Sequence, residues 1–387
     1  MRFSSLVDIE PSATLAINSL AQQKKATGER VYNLSAGEPM LPTHPLVIET
    51  ATKAMQQGKT LYPPVAGIPE LRRAMVRWMN DTYRTAYTDK NILVTCGGKF
   101  GIYALCQAFL EKGDEAIMIA PYWVSYPSMV ELFGGKPVMV STDEKSGWKA
   151  RAEEIEKVCT KRTKLLFLNN GGNPTGILYS RAELSALLAV AQRHDILVVS
   201  DEVYSGLTYD RNTFVSCGSF PEYQDNVVVI QSCSKHFAMT GWRVGFAFAP
   251  ENIVETLTTI QSQSTTGTSS VSQWAALAAV ENATTIIPEV NIAMQKRRDA
   301  LVGFLQKYFP GPFVQPAAGL YVFVSLPSLG MNEIDSTDFC KRVLEEANVA
   351  LVPGAPFGKE GYVRFSFGAE EKELEEAVAK LSQYLQK

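Results

Sequence analysis

An α/β fold on a mostly parallel, seven-stranded sheet flanked by helices is what this sequence predicts, and three observations predict it. Short apolar runs rich in β-branched residues alternate with helix-period segments through the middle of the chain, the signature of successive βαβ units. Those runs, such as Val227 to Ile230 or Ala116 to Ala120, are strand-sized and far below the roughly 20 residues that span a bilayer. A length of 387 residues with 46% hydrophobic content is enough for a large core and a second domain.

In chain order, Ala13 to Ala26 reads as a helix and Gly37-Glu38-Pro39 as a turn, in a segment too short to own a core and so expected to pack on a neighbouring domain. The seven strands are placed at Asn91 to Cys96, Glu115 to Ala120, Pro137 to Ser141, Lys164 to Asn169, Asp195 to Asp201, Asn226 to Gln231 and Arg243 to Ala249. Helices Phe100 to Leu110 and Ser180 to His194 lie between them, the second opened by a capping box of Ser180 with Glu183. Beyond about residue 285 the pattern changes to a long helix, Pro288 to Tyr308, and a strand, Leu320 to Leu326. A helix through Phe339 to Glu346, short strands at Val349 to Val352 and Tyr362 to Phe367, and a terminal helix follow. That tail reads as a smaller α+β domain.

Thirty-seven Lys and Arg stand against 40 Asp and Glu, giving a net charge of -3, and no like-charge run marks an interaction tail. No nucleic-acid partner and no membrane span are expected. Asp8, Glu10 and Pro11 interrupt anything resembling a signal-peptide core, so the expected location is cytoplasmic. Six cysteines without CxxC spacing and three scattered histidines offer no metal centre, and the cysteines are expected to be buried free thiols.

The densest chemistry lies in Ser232-Cys233-Ser234-Lys235-His236-Phe237-Ala238-Met239-Thr240-Gly241-Trp242-Arg243-Val244-Gly245, directly after an apolar strand. Strand ends of a parallel sheet are where ligands bind. Phe237, Met239 and Trp242 make this a buried loop rather than a solvated one, and a buried amine at Lys235 can act as nucleophile or base. Ser232 and Arg243 suit a phosphate dianion, one by a hydroxyl and the other by a forked guanidinium. Gly97-Gly98-Lys99 opens a helix after a strand, which is either a second phosphate cradle or a tight turn. It has neither the P-loop nor the dinucleotide spacing.

Asp201 closes a buried strand, where a carboxylate needs a positive partner such as a protonated ring nitrogen; an N-cap or a surface ion pair is the plainer alternative. Asn173-Pro174-Thr175-Gly176 is a turn that also offers the Asn173 amide at a strand edge. Arg364, between Val363 and Phe365, is either a clamp for a substrate carboxylate or an exposed strand charge.

Together these segments resemble the class I and II aminotransferases, pyridoxal-phosphate enzymes of fold type I, from about Pro11 to the C-terminus. The carrying motif is Ser-x-Ser-Lys-x-x-x-Met-x-Gly-x-Arg-x-Gly at Ser232 to Gly245. Pro11 to Thr14, Ser35 to Pro39, Tyr62 with Ala66 to Leu71, Gly97 to Lys99 and Pro121 to Pro127 look most like the bacterial aspartate and aspartate/prephenate subgroup. The resemblance implies that Lys235 carries pyridoxal 5'-phosphate and moves the Cα proton, with Asp201 on the ring nitrogen. Tyr204 and Asn173 would meet the phenolic oxygen, Trp123 the ring face, and Gly98, Lys99, Ser232 and Arg243 the phosphate. Gly37, Asn173 and Arg364 would hold the substrate α-carboxylate, Trp123 would line that pocket, and Tyr62 would reach the neighbouring subunit's phosphate in a homodimer. A large domain of residues 45–285 and a small one combining 1–44 with 286–387 are implied.

Where relatives often read Asn-Ser-Pro-x-Asn-Pro-Thr-Gly, this chain has Asn169-Asn170-Gly171-Gly172 before Asn173, and a looser loop is expected. Aspartate, glutamate and 2-oxoglutarate are the expected substrates, with Ser12, Thr14 and Lys99 as readers of a distal carboxylate. The alternatives are an aromatic, alanine-like or prephenate aminotransferase, or a β-lyase. A transcription regulator on this fold would need a basic DNA-binding domain that the sequence does not display.

Overall fold

The computed structural model describes residues 13–309, 311–332 and 334–386. Its strands, in chain order, are β1 (Tyr32–Asn33), β2 (Ile92–Thr95), β3 (Glu115–Ala120), β4 (Lys136–Ser141), β5 (Thr163–Leu168), β6 (Leu197–Asp201), β7 (Val227–Ser232), β8 (Gly245–Phe248), β9 (Tyr321–Ser325), β10 (Val349–Ala350), β11 (Val352–Pro353) and β12 (Tyr362–Ser366). Seven of them form the main sheet in the order β2-β8-β7-β6-β5-β3-β4. Only β8 runs against its neighbours. The side chains of β5, β6 and β7 are almost all buried, as expected of strands covered on both faces.

Register brings the functional strand ends level: Asp201 pairs with Ile230, so β7 runs only two residues further, ending at Ser232. The Ser180 capping box forms with Glu183, and its helix runs Arg181–Arg193. The helix after β2 begins at Gly98, two residues before the expected Phe100, because the glycine backbone turns directly into the first helical turn.

β9, β11 and β12 make an antiparallel three-stranded sheet, while β1 and β10 make a parallel pair. The expected single strand Val349 to Val352 is therefore two short ones, because Val349–Ala350 pairs with Tyr32–Asn33 and Val352–Pro353 pairs with β12. The long helix extends over Ala283–Tyr308 and takes Pro288 into its early turns rather than starting there. Four cysteines are buried, but Cys96 and Cys159 are only half-buried, a correction to the expected pattern. No helix among the described residues is long and apolar enough to cross a membrane.

Candidate active site

A cavity of about 360 Å³ opens at the C-terminal ends of the parallel strands, the place that topology reserves for ligands. Asp201 and Ser232 reach it from the ends of β6 and β7, Gly98 and Lys99 from the helix after β2, and Tyr321 and Arg364 from the three-stranded sheet.

One end is built for an anion. Gly97 precedes the helix Gly98–Phe109, whose first N–H groups have no helical acceptor. A Cβ at Gly97 would lie 2.5 Å from Arg243 Nη2, so the missing side chain leaves room for the guanidinium beside the helix terminus. The Ser232 hydroxyl lies 2.9 Å from that of Ser234 and 3.1 Å from the Val244 carbonyl. Lys99 donates to Ser125 Oγ at 3.2 Å and lies 4.8 Å from the Trp123 ring centroid. Partial burial and the nearby Arg243 guanidinium lower the Lys99 ammonium from its ordinary value.

The other end is built for a cation. Asp201 is 4% exposed and accepts from the Tyr126 hydroxyl at 2.7 Å. Burial pushes its carboxyl up to about 6, against the Tyr126 hydrogen bond and the more distant Lys235 charge. Between the two ends, Lys235 donates through Nζ to the Gly37 carbonyl and stands 5.8 Å from the Tyr204 ring centroid.

Arg364 settles against the exposed-charge alternative, because both faces of β12 are covered and the residue is 1% exposed. Its guanidinium donates to Asn173 Oδ1 at 2.9 Å and to the Ser35 carbonyl at 2.7 Å, leaving Nε without a partner. Asn169 supports this corner: its Oδ1 accepts from the Asn173 N–H at 2.9 Å and its Nδ2 donates to the Asp201 carbonyl at 3.0 Å.

The loop expected to be loose is pinned. Gly171 donates to Ile177 at 2.7 Å from a φ of 69°, which proline cannot adopt, and Asn170 bonds Val215 and Tyr179. Hydrogen bonds here replace the stiffness of a pyrrolidine ring.

The cavity thus gathers Gly37, Gly98, Lys99, Trp123, Asn173, Asp201, Tyr204, Ser232, Lys235, Arg243 and Arg364. Tyr62 does not join them; it stands 91% exposed in the loop before the helix Pro69–Tyr83. Ser12 lies outside the described residues, as does the side chain of Thr14. Sequence reasoning missed the Tyr126 and Asn169 bonds to Asp201 and the Tyr321 hydroxyl, which lies 3.1 Å from that of Tyr204. Asn169, directly after β5, carried a signal in its position at a strand end; nothing local marked Tyr126 or the hydroxyl of Tyr321.

The family model for "Aminotransferase class I and II" matches residues 29–381. The chain belongs to that family. The aminotransferase is 36% identical to the aspartate aminotransferase of Bacillus subtilis over 98% of this chain and 97% of that protein. It is 37% identical to the aspartate/prephenate aminotransferase of Thermus thermophilus, over 97% of each chain. The solved aspartate aminotransferase of Thermus thermophilus with maleate superposes with a TM-score of 0.94 at 36% identity, covering 99% of this chain and 100% of that one.

This family is pyridoxal-phosphate-dependent, so the aminotransferase is a transaminating enzyme of fold type I. Its residues fit the cofactor. The Gly97 cradle with Arg243 suits the phosphate, and the Asp201 carboxyl, pushed up by burial, suits a protonated ring nitrogen.

Proposed function

We propose that the aminotransferase exchanges the amino group of aspartate or glutamate with 2-oxoglutarate or oxaloacetate in two half-reactions, one molecule leaving before the next binds. The observation that carries this reading is the convergence of Lys235, Asp201 and the buried Arg364 on one cavity with a cationic rim of Lys99 and Arg243. Relatives named for aspartate, and a structural neighbour solved with the dicarboxylate maleate, support an acidic substrate over the aromatic and β-lyase readings.

When bound, pyridoxal phosphate supplies the electron sink that makes a substrate Cα–H acidic. Arg364 presents a fork to the α-carboxylate, already aimed by Asn173 and the Ser35 carbonyl, and Gly37 borders the same pocket. Asp201 would keep a proton on the ring nitrogen, and Tyr126 and Asn169 hold Asp201 in place. Tyr204 and Asn173 would hold the phenolic oxygen and Trp123 would pack on the ring, while Gly98, Ser232 and Arg243 would anchor the phosphate. Lys235, in the cavity lining, would carry the cofactor, and its Nζ is the group that would accept the Cα proton and return it inside the cavity. Lys99, braced by Ser125 and Trp123, reads the distal carboxylate with Ser12 and Thr14.

A cytoplasmic homodimer is part of the proposal, with Tyr62 serving the neighbouring site. Met40, Ile48, Met55 and Leu61, from the same part of the chain as Tyr62, are 48–82% exposed, and a second copy would cover them. Residues 45–285 are assigned to the large domain and 1–44 with 286–387 to the small one; the pairing of β1 with β10 supports joining the two termini.

Borohydride reduction of the cofactor-loaded enzyme should place the pyridoxyl label on the Lys235 peptide. With 2-oxoglutarate as acceptor, kcat/KM for aspartate should exceed that for alanine or phenylalanine. A label on another lysine, or equal efficiency for phenylalanine and aspartate, counts against the site assignment or the substrate respectively.

A further inference from the structure

Tyr321 opens β9 at 2% exposure, and three residues of the cavity meet on it. The Arg364 guanidinium carbon lies 4.1 Å from its ring centroid, and its hydroxyl lies 3.1 Å from the Tyr204 hydroxyl. A Cβ on Gly37 would come within 2.8 Å of the same Tyr321 hydroxyl oxygen, so glycine at 37 is what leaves that oxygen its place. Among the described residues, Tyr204 is the hydrogen-bond partner of the Tyr321 hydroxyl.

A phenol has one proton to donate and can accept at the same time. Once the Tyr204 O–H donates a hydrogen bond to an oxygen in the cavity, the Tyr204 oxygen is free to accept, and the Tyr321 hydroxyl is in reach to donate. We propose that Tyr321 is a positioning residue acting through Tyr204: its hydroxyl donates to the Tyr204 oxygen and fixes the Tyr204 proton toward the phenolic oxygen of bound pyridoxal phosphate. The proposal rests on the assignment of Tyr204 to that oxygen. Chained hydrogen bonds polarise one another where little water screens them, so the hydrogen bond leaving Tyr204 is strengthened.

The charged and titratable groups around Tyr204 are Lys235, Arg364, Asp201 and Tyr321. Burial, with Tyr321 and Asp201 adding to it, pushes the Tyr204 phenol well above its ordinary value, so it is a neutral donor across the working range. A donor held against the phenolic oxygen competes for that oxygen with a proton on the neighbouring Lys235 nitrogen. Weaker donation from Tyr204 therefore lets the nitrogen keep its proton to higher pH. Phenylalanine at 321 retains the ring under Arg364 and removes the hydroxyl alone, so the carboxylate clamp keeps its packing.

The test is a spectrophotometric pH titration of the cofactor-loaded wild type, Tyr204→Phe, Tyr321→Phe and the double variant. Tyr204→Phe should move the titration midpoint of the cofactor band upward. Tyr321→Phe should move it the same way by a smaller amount, about 0.3–1 pH unit for one hydrogen bond. In the Tyr204→Phe background the second substitution should add nothing. KM for the amino acid should stay within about twofold of wild type, since no hydrogen bond to the substrate is removed.

A wild-type midpoint for Tyr321→Phe beside a shifted Tyr204→Phe overturns this proposal and leaves the role of Tyr204 standing. An equal shift in both backgrounds also overturns it, because Tyr321 would then act without Tyr204. An unshifted Tyr204→Phe removes the underlying assignment, and the proposal with it.

Discussion

Asp201, the last residue of β6, lines the cavity while Glu202, the next residue, does not, and both are carboxyls taken out of water. Asp201 looks into the cavity, where a protonated ring nitrogen would favour its charged form. Glu202 looks away: its Oε1 accepts from Ser200 Oγ and from the Cys217 N–H, both at 2.8 Å, while Oε2 has no partner. Burial pushes Glu202 up to about 7, against the nearby Ser216 hydroxyl and the hydrogen bonds from Cys217 and Ser200. The folded state therefore binds a proton that the unfolded chain has released between pH 4.5 and about 7, and stability falls as pH rises through that window. Glu202→Gln removes this dependence. The variant should gain on wild type between pH 5 and 8 by up to roughly 3 kcal/mol, read from urea midpoints at the two pH values. A constant difference would mean that Glu202 ionises in the ordinary carboxylate range.

The segment from Asn169 to Gly176 shows how one loop organises two strand ends. A Cβ at Gly172 would fall 1.7 Å from Asn169 Oδ1, so glycine is what allows the Asn169 amide to reach back over its own loop. That amide ties the Asn173 N–H to the Asp201 carbonyl, linking the α-carboxylate corner to the ring-nitrogen corner. Gly172→Ala must displace Asn169 and lose both bonds. Roughly 10-fold weaker retention of pyridoxal phosphate is expected from two bonds of about 1 kcal/mol each, partly recovered by relaxation. Equilibrium dialysis measures this directly, and unchanged retention would show that the Asn169 bridge does not position the ring.

As a whole, the chain carries most of a site but leaves one side open. Lys99 and Arg243 are exposed at the cavity rim, and Tyr62, itself 91% exposed, is not among the residues lining its own cavity. A second copy that covers this surface would deliver Tyr62 to the neighbouring phosphate. Hybrid dimers of a Lys235→Ala chain and a Tyr62→Ala chain test that geometry. In a hybrid, the chain that keeps Lys235 receives an intact Tyr62 from its partner, so one complete site forms from two defective proteins. Equal mixing with subunit exchange should recover about a quarter of the wild-type site count, half the dimers being hybrid with one good site each. If Tyr62 served its own chain, mixing would recover nothing above the two parents.

The seven strands, the Ser180 cap and the cofactor motif were legible because apolar runs, capping boxes and strand-end glycines are decided within a few residues of one another. Lys235, Asp201 and Asn173 could be read for the same reason: each sits directly after, at the end of, or near a strand that its own neighbours specify. Whether Arg364 is a surface charge or a buried clamp could not be decided that way, since it alternates with apolar residues under either reading. Its burial depends on Ser35, 329 residues away, and on Asn173, 191 residues away. The meeting of Tyr204 with Tyr321 spans 117 residues and is likewise invisible to any local pattern. Neighbouring residues are enough to set which chemical groups stand at strand ends. Which of them share a cavity depends on distant contacts, because the cost of burying a charge or a hydroxyl is met by partners that only the folded chain brings within hydrogen-bonding distance.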